Sequence, residues 1–274
     1  MFLQERLQQN KKKGTALLAT NFYNFETLHA VLTAAQNTGS SLILQLSESS
    51  IDYLGASLAA SMAKKAIEQY NVEAWLHLDH GSNVDLIKEC LDLGFDSVMI
   101  DASEKPFKEN VIITKEIVEF AQSYYANVEA ELGYIAKLAQ DQEMIYTKPE
   151  EAKTFVEETG VDALAIAVGS AHGFYKKTPQ LQLDLISQIN AVTPAALVLH
   201  GSSGIPHDQL QAAIKNGITK INLATEIKNA FMKKLKNHLL STDEIDLRKV
   251  FPVASQAAID LVTEKLNIIN NPGL

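Results

Sequence analysis

The chain has 274 residues, 46% hydrophobic and 21% charged, which is enough apolar material for a large core. Its formal net charge of −9 argues against a nucleic-acid or membrane-surface partner, since both select clustered positive charge, and no apolar run approaches the roughly 18 residues that a bilayer span needs. The single cysteine, Cys90, rules out an intrachain disulfide, and MFLQERLQQNKKKG lacks the basic-then-apolar order of a secretion signal, so a cytoplasmic protein is expected.

In chain order, short apolar and β-branched runs alternate with longer helical patterns. Strands are predicted over 15–22 (TALLATNF), 41–47 (SLILQLS), 74–79 (AWLHLD), 97–101 (SVMID), 127–133 (NVEAELG), 163–169 (ALAIAVG), 195–201 (AALVLHG) and 220–225 (KINLAT). Segments between them, such as FETLHAVLTAAQNTG and HDQLQAAIKNG, carry apolar residues at helical spacing and close on Gly39 and Gly217. Cys90 falls in one of these, VDLIKECLDLG, as a packed residue rather than a nucleophile. Near-continuous apolar strands separated by helices mean a parallel sheet covered on both faces. Eight such units predict an α/β fold, a closed (β/α)8 TIM barrel spanning 1–274 as a single domain, with 226–274 supplying the eighth helix and C-terminal helical additions. The competing doubly wound sheet lacks a glycine-rich fingerprint after the first strand.

In such barrels the active site lies at the C-terminal ends of the strands. Those positions hold Asn21 and Asn24, Ser47, Asp79 and His80, Asp101 and Ser103, Glu129 and Glu131, His172 and Gly173, His200 to Gly204, and Asn222 with Thr225 on strand eight. Polar residues at one end of every strand converge on one mouth. His80, His172 and His200 follow strands three, six and seven, and three imidazoles with an open fourth position suit a catalytic zinc ion, with Glu131 as a fourth or alternate ligand. His29, His207 and His238 sit in helical or turn contexts and are expected to be structural. The glycine-rich turns GSAHGFYKK (169–177) and LHGSSGIP (199–206) expose backbone N–H groups, and with Lys176, Ser203, Asn222 and Thr225 they suit a phosphate.

The segments HLDHGSN, SVMIDAS, VEAELG, GVDALAIAVGSAHGFYK, LVLHGSSGIP and KINLATEIKNAF resemble the class II, zinc-dependent ketose-bisphosphate aldolases, closest to their shorter fructose- and tagatose-bisphosphate branch. The match runs in order from about Asn21 to Phe231, and ATEIKNAF leans toward tagatose-type members. The resemblance implies retro-aldol cleavage of fructose- or tagatose-1,6-bisphosphate to dihydroxyacetone phosphate and glyceraldehyde 3-phosphate. It implies Zn2+ on His80, His172 and His200, and Asp79 as the acid and base at the C4 hydroxyl. Asn222 would hold the dihydroxyacetone-phosphate moiety. Gly173, Lys176, Gly201, Ser203 and Thr225 would gather round its phosphate, Ser47 would join the substrate-binding residues, and carbonyls near Gly173 and Gly201 would hold Na+ or K+. His77, Asp101 and Glu129 fall behind the ligands. A homodimer or homotetramer is implied, and Arg248 is expected on the surface, with a distal phosphate reached across a subunit boundary as the alternative.

One segment departs from the family. Its members follow VEAELG with a loop containing Gly-Gly-x-Glu-Asp, whose glutamate moves a proton; here GYIAKLAQDQEMIYT (133–147) is shorter and lacks the paired glycines. Ala139 takes the glutamate's ungapped position, leaving Asp141 or Glu143 as substitutes. Losing such a group typically costs about 10²–10⁴ in rate. The alternative reading is therefore a catalytically weak metal-binding homologue with a binding role or a different phosphorylated substrate. A zinc hydrolase on the same barrel is the third.

Overall fold

The computed structural model of the protein describes residues 1–133, 135, 145–175 and 179–270. An N-terminal helix α1 (Leu3–Lys13) precedes β1 (Leu17–Asn21), α2 (Phe25–Thr38), β2 (Leu42–Ser47), α3 (Glu48–Leu54) and α4 (Ala56–Tyr70). Then come β3 (Ala74–Gly81), α5 (Val84–Asp92), β4 (Ser97–Ile100), α6 (Phe107–Ala121), a single 3-10 turn at Gln122–Tyr124, and β5 (Asn127–Leu132). The second half runs α7 (Pro149–Thr159), β6 (Ala163–Ile166), α8 (Leu183–Val192), β7 (Ala196–Leu199), α9 (His207–Lys215), β8 (Ile218–Leu223), α10 (Thr225–Leu239) and α11 (Leu247–Asn270). The eight strands are parallel and close in sequence order, β8 pairing back onto β1, so the fold is a (β/α)8 barrel. No helix among the described residues is long and apolar enough to cross a membrane.

Strand alternation sends residues to two environments. Outward residues such as Leu18, Leu44, Leu78 and Val98 join the helix faces in one large core. Inward residues Leu17, Ala19, Ile43, Trp75, Met99, Ala163, Ala165, Ala196 and Val198 form a second apolar cluster, which Leu3 and Leu7 of α1 complete. This helix stoppers the N-terminal face of the barrel. Lys11 Nζ donates to the carbonyls of Thr193 (2.7 Å) and Ala195 (2.8 Å) ahead of β7, and Trp75 Nε1 donates to the Met1 carbonyl at 3.1 Å. Toward the C-terminal strand ends the lining becomes polar. Register sets Asn21 beside Gln45, Gln45 beside His77, Ser47 beside Asp79, and Ser97 beside both His77 and Asn127.

The predicted strands all form, and several are shorter than predicted: β6 stops at Ile166 and β7 at Leu199, so His172 and His200 lie in the loops that follow. Strand eight is displaced the other way. It begins at Ile218 and ends at Leu223, so Thr225 belongs to the first turn of α10 rather than to the strand. The cause is a sharp bend at Ala224 (φ −132°, ψ −55°), which turns the chain straight from strand into helix. Cys90 is buried on α5, where burial pushes its thiol up to about 12. As expected, it is a packed side chain.

Candidate active site

The run Leu78-Asp79-His80 breaks the strand rule. His77 and Asp79 face the interior and Leu78 faces the helices, so simple alternation would turn His80 outward. Instead the pairing of β3 with β4 shifts register between Leu78 and Gly81, and His80 adopts φ 52°. A left-handed conformation at a non-glycine residue costs roughly 1–2 kcal/mol, and such outliers gather at functional sites. The bulge aims two consecutive side chains, a carboxylate and an imidazole, into one mouth. Gly81 permits it, because a Cβ there would lie 2.6 Å from the Met99 carbonyl oxygen.

The loops after β6 and β7 bring the other two histidines to this point. The ring centroid of His80 lies 5.0 Å from that of His172 and 4.7 Å from that of His200. Gly201 allows the approach: it has φ 65°, and a Cβ would meet the Ala171 carbonyl oxygen at 2.4 Å. Tyr175 ties the two loops together, its hydroxyl donating to the Gly201 carbonyl at 2.7 Å and accepting the Ala171 N–H at 2.6 Å.

The outer nitrogens of two rings are committed to carboxylates. His80 Nδ1 lies 2.7 Å from Asp101 Oδ2, and Asp101 also accepts from the amide and hydroxyl of Ser103. His200 Nε2 lies 2.8 Å from Glu129 Oε1. What remains is His80 Nε2 facing His200 Nδ1 at 2.9 Å. Two neutral rings so committed would present lone pairs to each other, so a positive charge belongs between them. Burial alone would drive the proton off His80, but Asp79, the Asp101 hydrogen bond and Glu131 outweigh it and raise His80 to about 10. Burial lowers His172 to about 3 and also lowers His200, keeping both available as neutral ligands.

One nitrogen from each of the three histidines falls within a common 4.8 Å, and His80, Asp101 and Glu131 form a second such group. Glu131 Oε2 is buried without a hydrogen-bond partner and stands 3.9 Å from His200 Nδ1. Burial and the neighbouring Asp101 push the Glu131 carboxyl up to about 8. An orphaned carboxylate oxygen beside three converging imidazoles fits a zinc-like cation, and the carboxylates behind the rings are the usual outer partners of such ligands.

Asp79 is held from three sides. Asn21 Nδ2 donates to Oδ2 at 3.0 Å, and Gln45 Nε2 (3.0 Å) and Asn222 Nδ2 (3.3 Å) donate to Oδ1. Burial opposes its charge, but His80, His200, Lys220 and the Asn21 hydrogen bond prevail and lower it to about 2, so it is ionised at neutral pH. Beside it, Asn21, Asp79, the three histidines, Gly173, Gly201, Ser203, Asn222 and Thr225 line a tight cavity of about 60 Å³. Larger chambers flank it. One of about 630 Å³ lies over Asp101, Ser103, Lys105 and Glu131, and one of about 460 Å³ is lined by Tyr23, Ser47, Ser50, Tyr53 and Lys228. Ser47, which also caps α3, borders both.

The structure thus brings together every predicted ligand and substrate residue that it describes. Lys176 and the loop positions Ala139, Asp141 and Glu143 lie outside the described residues. His77 sits a layer deeper than the ligands, bonded to Ser97 Oγ at 2.7 Å. Arg248 is on the surface, paired with Asp246 at 3.0 Å, and borders a separate cavity with Phe25, Tyr70 and Phe251. Gln45, Lys220 and Tyr175 went unforeseen. Their signal was present for the first two: Gln45 interrupts the apolar run LILQL of β2 and Lys220 is the one charged residue of β8, each at a buried, inward position.

The family model for class-II fructose-bisphosphate aldolase matches residues 2–273. Among solved structures, the YdjI aldolase of Escherichia coli K12 is similar at 31% identity and TM-score 0.89, over 99% of this chain and 97% of that one. A Coccidioides immitis protein assigned as a fructose-1,6-biphosphate aldolase is similar at 28% identity and TM-score 0.90, over 99% and 96%. The fructose-bisphosphate aldolase (Fba) of Campylobacter jejuni, at 22% identity and TM-score 0.84 over 98% and 94%, shares the fold. With the family model spanning nearly the whole chain, this protein belongs to the class-II fructose-bisphosphate aldolase family and is an aldehyde-lyase.

Proposed function

We propose that the protein cleaves a phosphorylated ketose, fructose- or tagatose-1,6-bisphosphate, reversibly into dihydroxyacetone phosphate and glyceraldehyde 3-phosphate. The observation that carries this reading is the meeting, in one cavity, of an ionised aspartate, three convergent histidines and the N-terminus of α10, whose N-cap residue Ala224 supplies no side-chain cap.

His80, His172 and His200 hold a zinc ion in this reading, with Glu131 as a fourth or alternate ligand. When bound, the ion supplies Lewis-acid polarisation of the ketose oxygens. Asp79 accepts the C4 hydroxyl proton on cleavage and returns it on condensation, and its three amide donors fix the direction from which it reaches the substrate. Asn222 orients the dihydroxyacetone-phosphate half. Ser203, Thr225, Gly173 and Gly201 surround its phosphate, and the first-turn amides of α10 add a favourable dipole. Lys176 is proposed to contribute a charge there, and the carbonyls near Gly173 and Gly201 to seat Na+ or K+. The departing aldehyde occupies the chamber of Ser47, Tyr53 and Lys228. The enzyme works in the cytoplasm as a homodimer or homotetramer.

Cleavage of both bisphosphates, followed through triose-phosphate release with and without a chelator, tests the reading. Activity lost on chelation and in Asp79→Ala supports it. A folded, zinc-loaded protein that cleaves neither sugar overturns it.

A further inference from the structure

Below the histidines, in the barrel interior, lies a buried charged group that the mechanism above leaves without a task. Lys220 on β8 is 1% exposed, and Glu129 on β5 and His77 on β3 are 0% exposed. Lys220 Nζ lies 2.6 Å from Glu129 Oε2 and 3.2 Å from His77 Nε2. Placing an ion pair in so dry a layer is costly, and apolar residues of similar volume commonly stabilise a fold as well or better. The barrel's own packing therefore does not explain it.

The direction of every hydrogen bond in this layer follows from one residue. A lysine Nζ has donors and, as an ammonium, no acceptor. His77 Nε2 must therefore accept, which places the His77 proton on Nδ1, where it is donated to Ser97 Oγ at 2.7 Å; Asn127 Nδ2 donates to the same oxygen at 3.0 Å. Glu129 receives Lys220 on Oε2, and its other oxygen faces His200 Nε2 at 2.8 Å. A carboxylate only accepts, so the His200 proton sits on Nε2. The Asn222 amide, 3.1 Å from that nitrogen, then has Asp79 Oδ1 as its acceptor. His200 is left with a bare Nδ1, the nitrogen that faces His80 Nε2 and Glu131.

We infer that Lys220 is a positioning residue of the metal centre: by holding Glu129 it dictates which nitrogen of His200 is offered to the ligand site. The contrast with His80 supports this. Asp101, which holds the His80 ring, is itself held by the Ser103 amide and hydroxyl, whereas Glu129 has Lys220 as its only cationic partner among the described residues. Lys220 does for one ring what Ser103 does for the other, and it does so in a layer where no neutral donor approaches Glu129 Oε2 at hydrogen-bond distance among the described residues.

This inference rests on the zinc reading above, and two readouts separate their fates. The first uses the wild-type protein with histidine 15N labels and no metal. Long-range proton–nitrogen spectra are expected to show His200 protonated on Nε2 and His77 on Nδ1; His200 protonated on Nδ1 overturns the inference. The second is zinc affinity by chelator competition. Lys220→Met is expected to weaken it about 10- to 100-fold, the usual effect of losing an outer partner, and to mix the His200 tautomers. Should that variant fail to fold, Glu129→Gln/Lys220→Met removes both charges, and its amide, able to donate or accept, leaves the His200 proton undirected. A folded variant that keeps wild-type zinc affinity and a single Nε2–H tautomer overturns the inference. A wild-type protein that binds no zinc overturns the metal reading, while its tautomer spectrum still judges Lys220.

Discussion

At the scale of single residues, the site is a set of donors and acceptors most of which have partners, the buried oxygens Gln45 Oε1, Glu131 Oε2 and Asn222 Oδ1 being exceptions. Asp79 is the clearest case, since three amide side chains point at it and its charge is retained at neutral pH. Asp79→Asn keeps the shape and one acceptor oxygen while removing the capacity to take a proton. It is expected to lower the cleavage rate by about 10²–10⁴ with zinc content unchanged, which a parallel measurement of kcat and bound metal checks. A loss of zinc together with rate would move Asp79 from proton transfer to ligation. These residues were legible because polar side chains at the ends of apolar strands are uneconomical unless used. The unusual backbone of His80 was not legible, since alternation alone turns that ring outward, and the bulge that corrects it depends on Gly81 passing close to Met99.

At the scale of elements, eight strand patterns and their helices could be read off because parallel strands are buried on both faces and carry continuous apolar runs. The N-terminal helix α1 escaped notice although Leu3, Leu7 and Asn10, its buried residues, stand at spacings of four and three. A short polar helix is hard to recognise when its apolar partner is the end of a barrel distant in sequence. Leu7 is 1% exposed in the inner cluster, and Leu7→Ala is expected to cost about 2–5 kcal/mol in denaturant unfolding while leaving substrate cleavage intact. An unchanged midpoint would mean that α1 does not seal the barrel. The same face offers a test of pH dependence. Asp162, just before β6, accepts the Val128 N–H at 2.8 Å, and burial raises its carboxyl above the usual range. A raised acid is a burden to the folded state while ionised, and the burden disappears as pH falls through the raised value toward the unfolded one. Asp162→Asn, whose amide oxygen still accepts, should therefore be more stable than wild type at pH 7, with the gain shrinking toward pH 4. Unfolding midpoints of both proteins across that range decide it, and a gain that grows toward acid contradicts the argument.

At the scale of the whole molecule, the barrel divides into an apolar floor, a charged middle layer and an open mouth, and the middle layer was the part least visible in the sequence. Lys220 in KINLAT and Glu129 in NVEAELG are 91 residues apart, and a strand pattern reports that each points inward without reporting that they meet. Above them Asp101 and Glu131 flank His80, with Asp79 beside it in the chain, and together these carboxylates raise its imidazole to about 10. Glu131 Oε2 stands beside them without a hydrogen-bond partner, 3.9 Å from His200 Nδ1. An ion that engages all three histidines binds the folded chain alone, and at a thousandfold excess over its dissociation constant such a ligand stabilises by about 4 kcal/mol. Zinc is accordingly expected to raise the melting temperature of the metal-free protein by on the order of 8 °C. His172→Ala should abolish most of that rise and leave the metal-free melting temperature close to wild type, since the His172 ring is only partly buried and donates no hydrogen bond among the described residues. Calorimetry of both proteins with zinc and with chelator measures the difference. Equal rises would mean that zinc binds elsewhere, and no rise in wild type would mean that the three histidines do not hold zinc.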